Sequence, residues 1–128
     1  MKLLVTDDSL LVRNTIKRLI NAMEVPNINI FEAKNGKEAI EVYKKEKPEA
    51  IILDLLMPEI DGERVLEQLK DIEHKCFIAV LSSNVQEPVK KRCIGMGTDI
   101  FIEKPITYDK MKYFFIKWEQ KRLLSPLP

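Results

Sequence analysis

The sequence predicts a doubly wound α/β fold, a five-stranded parallel sheet with five helices shared between its two faces. Two observations carry this. Five short apolar runs alternate with five helical patterns along the 128 residues, as a βα repeat with right-handed crossovers requires. The third run, Ala50-Ile-Ile-Leu-Asp-Leu55, is almost continuously apolar, as expected of a central parallel strand covered on both faces.

Lys2-Leu-Leu-Val-Thr6 reads as the first strand and ends at Asp7-Asp8-Ser9. Leu11, Val12, Ile16, Leu19, Ile20 and Met23 follow at three- and four-residue spacings, which predicts a helix with those side chains on its inward face. Pro26 stops that helix. Ile28, Ile30 and Phe31 mark a short second strand leading to Asn35-Gly36, and a second helix spans about Lys37 to Lys45 with Ala39, Ile40 and Tyr43 inward. Pro48 separates it from the third strand. Met57 to Gly62 then turns the chain into a helix carrying Val65, Leu66 and Leu69, and Phe77-Ile-Ala-Val-Leu81 is the fourth strand, followed by Ser82-Ser83-Asn84. Pro88 opens a fourth helix with Val89, Cys93 and Met96 at core spacings, and Gly95 and Gly97 offer ways to end it. Asp99-Ile-Phe-Ile-Glu103 is the fifth strand. Lys104-Pro105 leads into the last helix, where Met111, Phe114, Phe115, Trp118 and the stem of Arg122 share one side.

Composition narrows the function classes. Twenty-one Lys plus Arg against twenty Asp plus Glu give a net charge of +1, so no overall field draws the chain to nucleic acid or an anionic membrane. No uncharged run approaches the roughly 20 residues of a membrane-spanning helix. Met1 and Lys2 pass directly into a strand without a signal-peptide pattern, so the expected location is cytoplasmic and no membrane insertion is expected. Cys76 and Cys93 sit among apolar neighbours outside any metal motif and read as reduced, mostly buried thiols. Lone His74, in a polar connection, reads as solvent-exposed. Residues 1–124 read as one domain and residues 125–128 as a short C-terminal tail.

Ligands of open parallel sheets gather beyond the carboxyl ends of the strands. Those ends carry Asp7 and Asp8, Asp54, Ser82 and Lys104. Crowded carboxylates repel unless protonated or bound to a cation, and an oxygen-rich set with room for water suits Mg²⁺, with Mn²⁺ as an alternative. The residue types point to phosphoryl transfer onto Asp54, with Asp7 and Asp8 binding metal, Lys104 balancing charge and Ser82 donating a hydrogen bond. Acidic residues at a rim are also often merely solvated.

Asp7-Asp8, the D-x-x-M-P-x-x-D-G run from Asp54 to Gly62, Ser82 and Lys104-Pro105 together resemble the receiver domain of two-component response regulators, especially the small stand-alone chemotaxis-type members. The resemblance covers nearly the whole chain. It implies a flavodoxin-like strand order 2-1-3-4-5, a phosphoryl group accepted on Asp54, and a metal site of Asp7, Asp8, Asp54 and the backbone carbonyl of Leu56. It places Ser82 and Ser83 in the phosphate-binding turn, and Ser82 and Phe101 in the conformational switch. Phe101 stands where many relatives carry Tyr and so lacks a hydroxyl. The implied donor is a phosphohistidine on a sensor histidine kinase or histidine phosphotransfer protein. The implied chemistry is self-phosphorylation from small donors and autodephosphorylation, not conventional multiple turnover.

Lys90, Lys91, Tyr113, Ile116 and Lys117 lie off the inward stripes of their helices and form a basic-rimmed apolar patch. That patch suits a downstream protein partner and carries no nucleic-acid recognition motif. Two other readings remain: an intermediary that passes phosphate onward, and an interaction module that receives none. A related acyl-phosphate phosphatase fits less well, because Asp7-Asp8-Ser9 lacks that family's D-x-D arrangement.

Overall fold

In a computed structural model describing residues 1–83 and 85–124, the chain forms one five-stranded sheet with five helices. In chain order the elements are β1 (Lys2–Thr6), α1 (Leu10–Ala22), β2 (Asn29–Ala33), α2 (Gly36–Glu46), β3 (Ala50–Asp54), α3 (Gly62–Lys70), β4 (Phe77–Ser82), α4 (Glu87–Gly95), β5 (Ile100–Glu103) and α5 (Tyr108–Leu124). The strands are parallel in the order β2-β1-β3-β4-β5. Asn84 and the tail 125–128 lie outside the described residues.

Alternation along the strands divides the core. Leu3, Val5, Ala50, Ile52, Ala79, Leu81, Ile100 and Ile102 pack with Ile16 and Ile20 of α1 and Met111, Phe114 and Trp118 of α5. Leu4, Ile51, Leu53, Ile78 and Val80 pack with Ile40 and Tyr43 of α2, Val65, Leu66 and Leu69 of α3, and Cys93 of α4. Side chains cap four helices: Ser9 accepts from the Val12 N–H, Asn35 from Glu38, Asp61 from Arg64 and Thr107 from Lys110, each satisfying an otherwise orphaned donor. Gln86 makes no side-chain cap hydrogen bond at α4, and Cys93 is that helix's one fully buried residue.

Several expectations change. Leu11, expected inward, is 71% exposed in the first turn of α1. His74 is half-buried: its ring stands edge-on to Tyr43 at 5.5 Å and its Nε2 lies 2.6 Å from the Pro48 carbonyl. A carbonyl only accepts, so Nε2 carries the proton. Lys90 is half-buried too, its ammonium above the Phe101 ring, while Lys91 is exposed. Cys93 is buried, Cys76 half-buried, and both are free thiols. Among the described residues no helix is long and apolar enough to cross a membrane.

Candidate functional site

The strand register brings the rim residues together. Thr6 pairs with Leu53, so Asp7 follows β1 beside Asp54, the last residue of β3. Asp54 pairs with Leu81, and Ser82 pairs with Glu103, the residue before Lys104. Asp7, Asp54 and Lys104 are in step with the strand residues that face α1 and α5, whereas Ser82 is in step with those facing the other helices. One ligand oxygen from each of Asp7, Asp8 and Asp54 lies within 4.8 Å of the others, forming a cluster able to coordinate a divalent metal.

Local backbone contacts aim these carboxylates. The Ser9 N–H donates to Asp7 Oδ1 at 2.9 Å, and the Arg13 guanidinium donates to the Asp7 carbonyl at 2.6 Å while its Nε reaches Glu32 at 3.0 Å. Arg13 was not singled out by the sequence, because its partners are set by the β1–β2 register. Asp54 Oδ1 accepts the Leu56 N–H at 3.1 Å. The Leu56 side chain is 74% exposed. Gly62 closes the loop: a Cβ there would stand 2.4 Å from the Asp54 carbonyl oxygen, closer than any side chain tolerates. Asp61, the second aspartate of the motif, is the α3 cap.

Lys104 supplies the countercharge. Its Nζ lies 3.1 Å from Asp7 Oδ2 and 3.5 Å from Asp54 Oδ2. Burial pulls the Lys104 pKa down, but Asp7 and Asp54 more than offset this and the net shift is upward. Asp54 is 2% exposed. Burial first, and the Asp7 charge second, push its carboxyl up to about 6 against the opposing pull of the Leu56 N–H and Lys104. Asp7 Oδ2 is buried with no hydrogen bond in spite of the nearby ammonium.

Of the other predicted residues, Ser82 is buried at the end of β4 and Ser83 is exposed beyond it. Phe101 is half-buried against the α2, α3 and α4 side of the core. Tyr113 and Ile116 are 45% and 48% exposed on α5, and Lys117 lies over the Tyr113 ring at 5.6 Å. They stand apart from the acidic cluster. A groove of about 410 Å³ lined by Leu11, Val12, Thr15, Ser83, Lys104, Pro105 and Ile106 borders the site. It went unnoticed in the sequence because Leu11 fits the inward spacing of α1.

The family model described as the response regulator receiver domain matches residues 3–114. Chemotaxis protein CheY of Bacillus subtilis (strain 168) is 33% identical over 112 residues, covering 86% of this chain and 90% of that protein. A protein-glutamate methylesterase/protein-glutamine glutaminase of Treponema denticola is 36% identical over 108 residues, covering 82% of this chain but 28% of that protein. Among solved structures, the receiver domain of a Luxo repressor protein from Vibrio parahaemolyticus superposes with a TM-score of 0.85 at 25% identity, over 95% of this chain and 92% of that one. The response regulator domain of Thermotoga maritima CheB gives 0.82 at 26% identity, over 98% of both chains. Sequence match, strand order and an acidic cluster at the strand ends agree, and the chain belongs to the response regulator receiver domain family of two-component signal transduction.

Proposed function

We propose that this chain accepts a phosphoryl group on Asp54 from a phosphohistidine of a sensor histidine kinase or phosphotransfer protein. The observation that supports it best is the single ammonium of Lys104 set between Asp7 and Asp54 at 3.1 and 3.5 Å. Without metal, burial and the Asp7 charge push the Asp54 carboxyl up to about 6, so it is mostly ionised at neutral pH and available as a nucleophile. An Asp54 oxygen forms the bond to phosphorus while the P–N bond breaks and its electron pair returns to the donor imidazole. Lys104 holds positive charge beside the entering phosphoryl oxygens, and Ser82 and Ser83 line the turn that receives them.

The donor set suits Mg²⁺. Three hard carboxylates converge, and the buried Asp7 oxygen that makes no hydrogen bond keeps lone pairs free for a cation besides its ion pair with Lys104. Asp7, Asp8, Asp54 and the Leu56 carbonyl would hold the ion, which when bound neutralises charge between carboxylates and phosphate. Residues 1–124 act as the receiver unit. Output runs through Lys90, Lys91, Tyr113, Ile116 and Lys117 to a downstream protein, with Ser82 and Phe101 coupling that face to Asp54.

The test is incubation with acetyl phosphate with and without Mg²⁺, followed by intact-mass analysis and site mapping. Metal-dependent labelling confined to Asp54 is expected. Undiminished labelling of Asp54→Asn would overturn the assignment.

A further inference from the structure

Beyond the acidic cluster, a cavity of about 190 Å³ opens among Ser82, Val85, Lys90, Phe101, Ile102 and Glu103. It joins the end of β4 to the start of α4 and to β5. Phe101 forms one wall, paired with Val80 across the ladder and packed on the core. Lys90 reaches over from α4, its Nζ 5.8 Å from the ring centroid. The space exceeds the roughly 150 Å³ of a cavity that admits benzene, so sterics alone do not confine the ring to its observed place.

What confines it is connected to how α4 is held. With one fully buried residue and no side-chain cap hydrogen bond at Gln86, this helix rests on half-buried Val89 against the core and on side-chain tethers to its neighbours. Arg92 donates to Glu63 of α3 at 2.8 and 3.3 Å. Lys90 over Phe101 ties α4 to β5. A cation on a ring face is drawn to the ring's negative quadrupole.

We propose that Lys90 is a positioning residue: its ammonium keeps the Phe101 ring at the mouth of the cavity beside Ser82, and so restrains rearrangement of the β4 end. A cation–π contact of this exposure biases two arrangements by about two- to five-fold. An Arg at position 90 preserves the contact. A Met preserves the stem and removes the charge. The effect on phosphoryl transfer rests on Asp54 being the acceptor, whereas the position of the ring does not.

The experiment compares the full-length wild type, Lys90→Met and Lys90→Arg. In the unphosphorylated proteins, NMR follows the Phe101 ring, the Ser82 amide and the Lys90 ε-methylene. The ε-methylene is expected upfield in the wild type from the ring current. Lys90→Met should move the Phe101 and Ser82 resonances, and Lys90→Arg should restore them. Acetyl phosphate labelling of Asp54 should then run about two- to five-fold faster in Lys90→Met. Unmoved resonances in Lys90→Met, or an Arg variant behaving like the Met variant, would overturn the positioning role. Ring movement without a rate change would overturn the link to the β4 end. A wild type that takes no label would instead reject the phosphoacceptor reading, with the resonances still deciding the role of Lys90.

Discussion

At the amino-terminal edge of the sheet, Tyr43 donates its hydroxyl to the His74 carbonyl at 2.7 Å and His74 donates to the Pro48 carbonyl at 2.6 Å. Asp99 there accepts the Ile78 N–H at 2.8 Å and the Lys121 ammonium at 2.7 Å. At the carboxyl-terminal edge, three carboxylates gather and one lysine reaches two of them, and a buried oxygen of Asp7 has no hydrogen bond. Both edges bury ionisable side chains in the same 128-residue fold. One edge pairs these ionisable groups with partners, although the buried Thr98 hydroxyl there makes no hydrogen bond, and so serves the architecture. The other leaves an excess of negative charge, a local cost that the fold retains where chemistry is to occur.

The largest effect should come from deepening the imbalance. Lys104→Met keeps the stem and removes the only cation that bridges Asp7 and Asp54 among the described residues. Labelling by acetyl phosphate should fall by about a hundred-fold or more, as when one preorganised electrostatic group is lost. A change smaller than about three-fold would mean that the two edges do not differ in function.

Relieving the imbalance should instead stabilise the fold. An acid whose folded pKa is raised binds its proton more tightly folded than unfolded, so stability falls as pH rises between the two values. For Asp54 that window runs from 3.8 to about 6. In metal-free buffer, Asp54→Asn should therefore gain up to about 3 kcal/mol at pH 7, and the gain should vanish below pH 4. Urea unfolding across pH is the check. At the opposite edge, burial pushes the Cys76 thiol up to about 11 from 9.0, so its loss of stability with rising pH belongs to the alkaline range. A single shared window would erase the contrast.

The smallest effect belongs to the matched edge. Tyr43→Phe strands no charge and removes one hydroxyl hydrogen bond, so it should cost about 1 kcal/mol and leave Asp54 labelling at the wild-type rate. Slower labelling would show that the amino-terminal edge also feeds the site.

The topology was legible because a two-residue period and a 3.6-residue period assign faces independently of distant sequence. The acidic site was legible for a related reason: Asp7 and Lys104 follow the ends of strand-like runs and Asp54 interrupts an apolar one, and parallel strands bring such ends to one rim. What escaped depends on partners far along the chain or on where an element ends. His74 is held by Pro48 and Tyr43, 26 and 31 residues away. Leu11 obeys the helical period but falls in the first turn of α1, where the helix meets the rim and leaves it exposed. Lys90 reads as outward by spacing, yet a long side chain can lie back across a neighbouring ring.

The slender anchoring of α4 has a consequence over evolutionary time. Only Cys93 among its nine residues is fully buried, and substitutions at exposed positions usually change stability by no more than about 0.5 kcal/mol. Duplicated copies of such a gene can therefore diverge along this helix, acquiring new recognition one side chain at a time. The sheet and its acidic rim need not change with them. A lineage can thus rewire who listens to the signal while inheriting the means of receiving it.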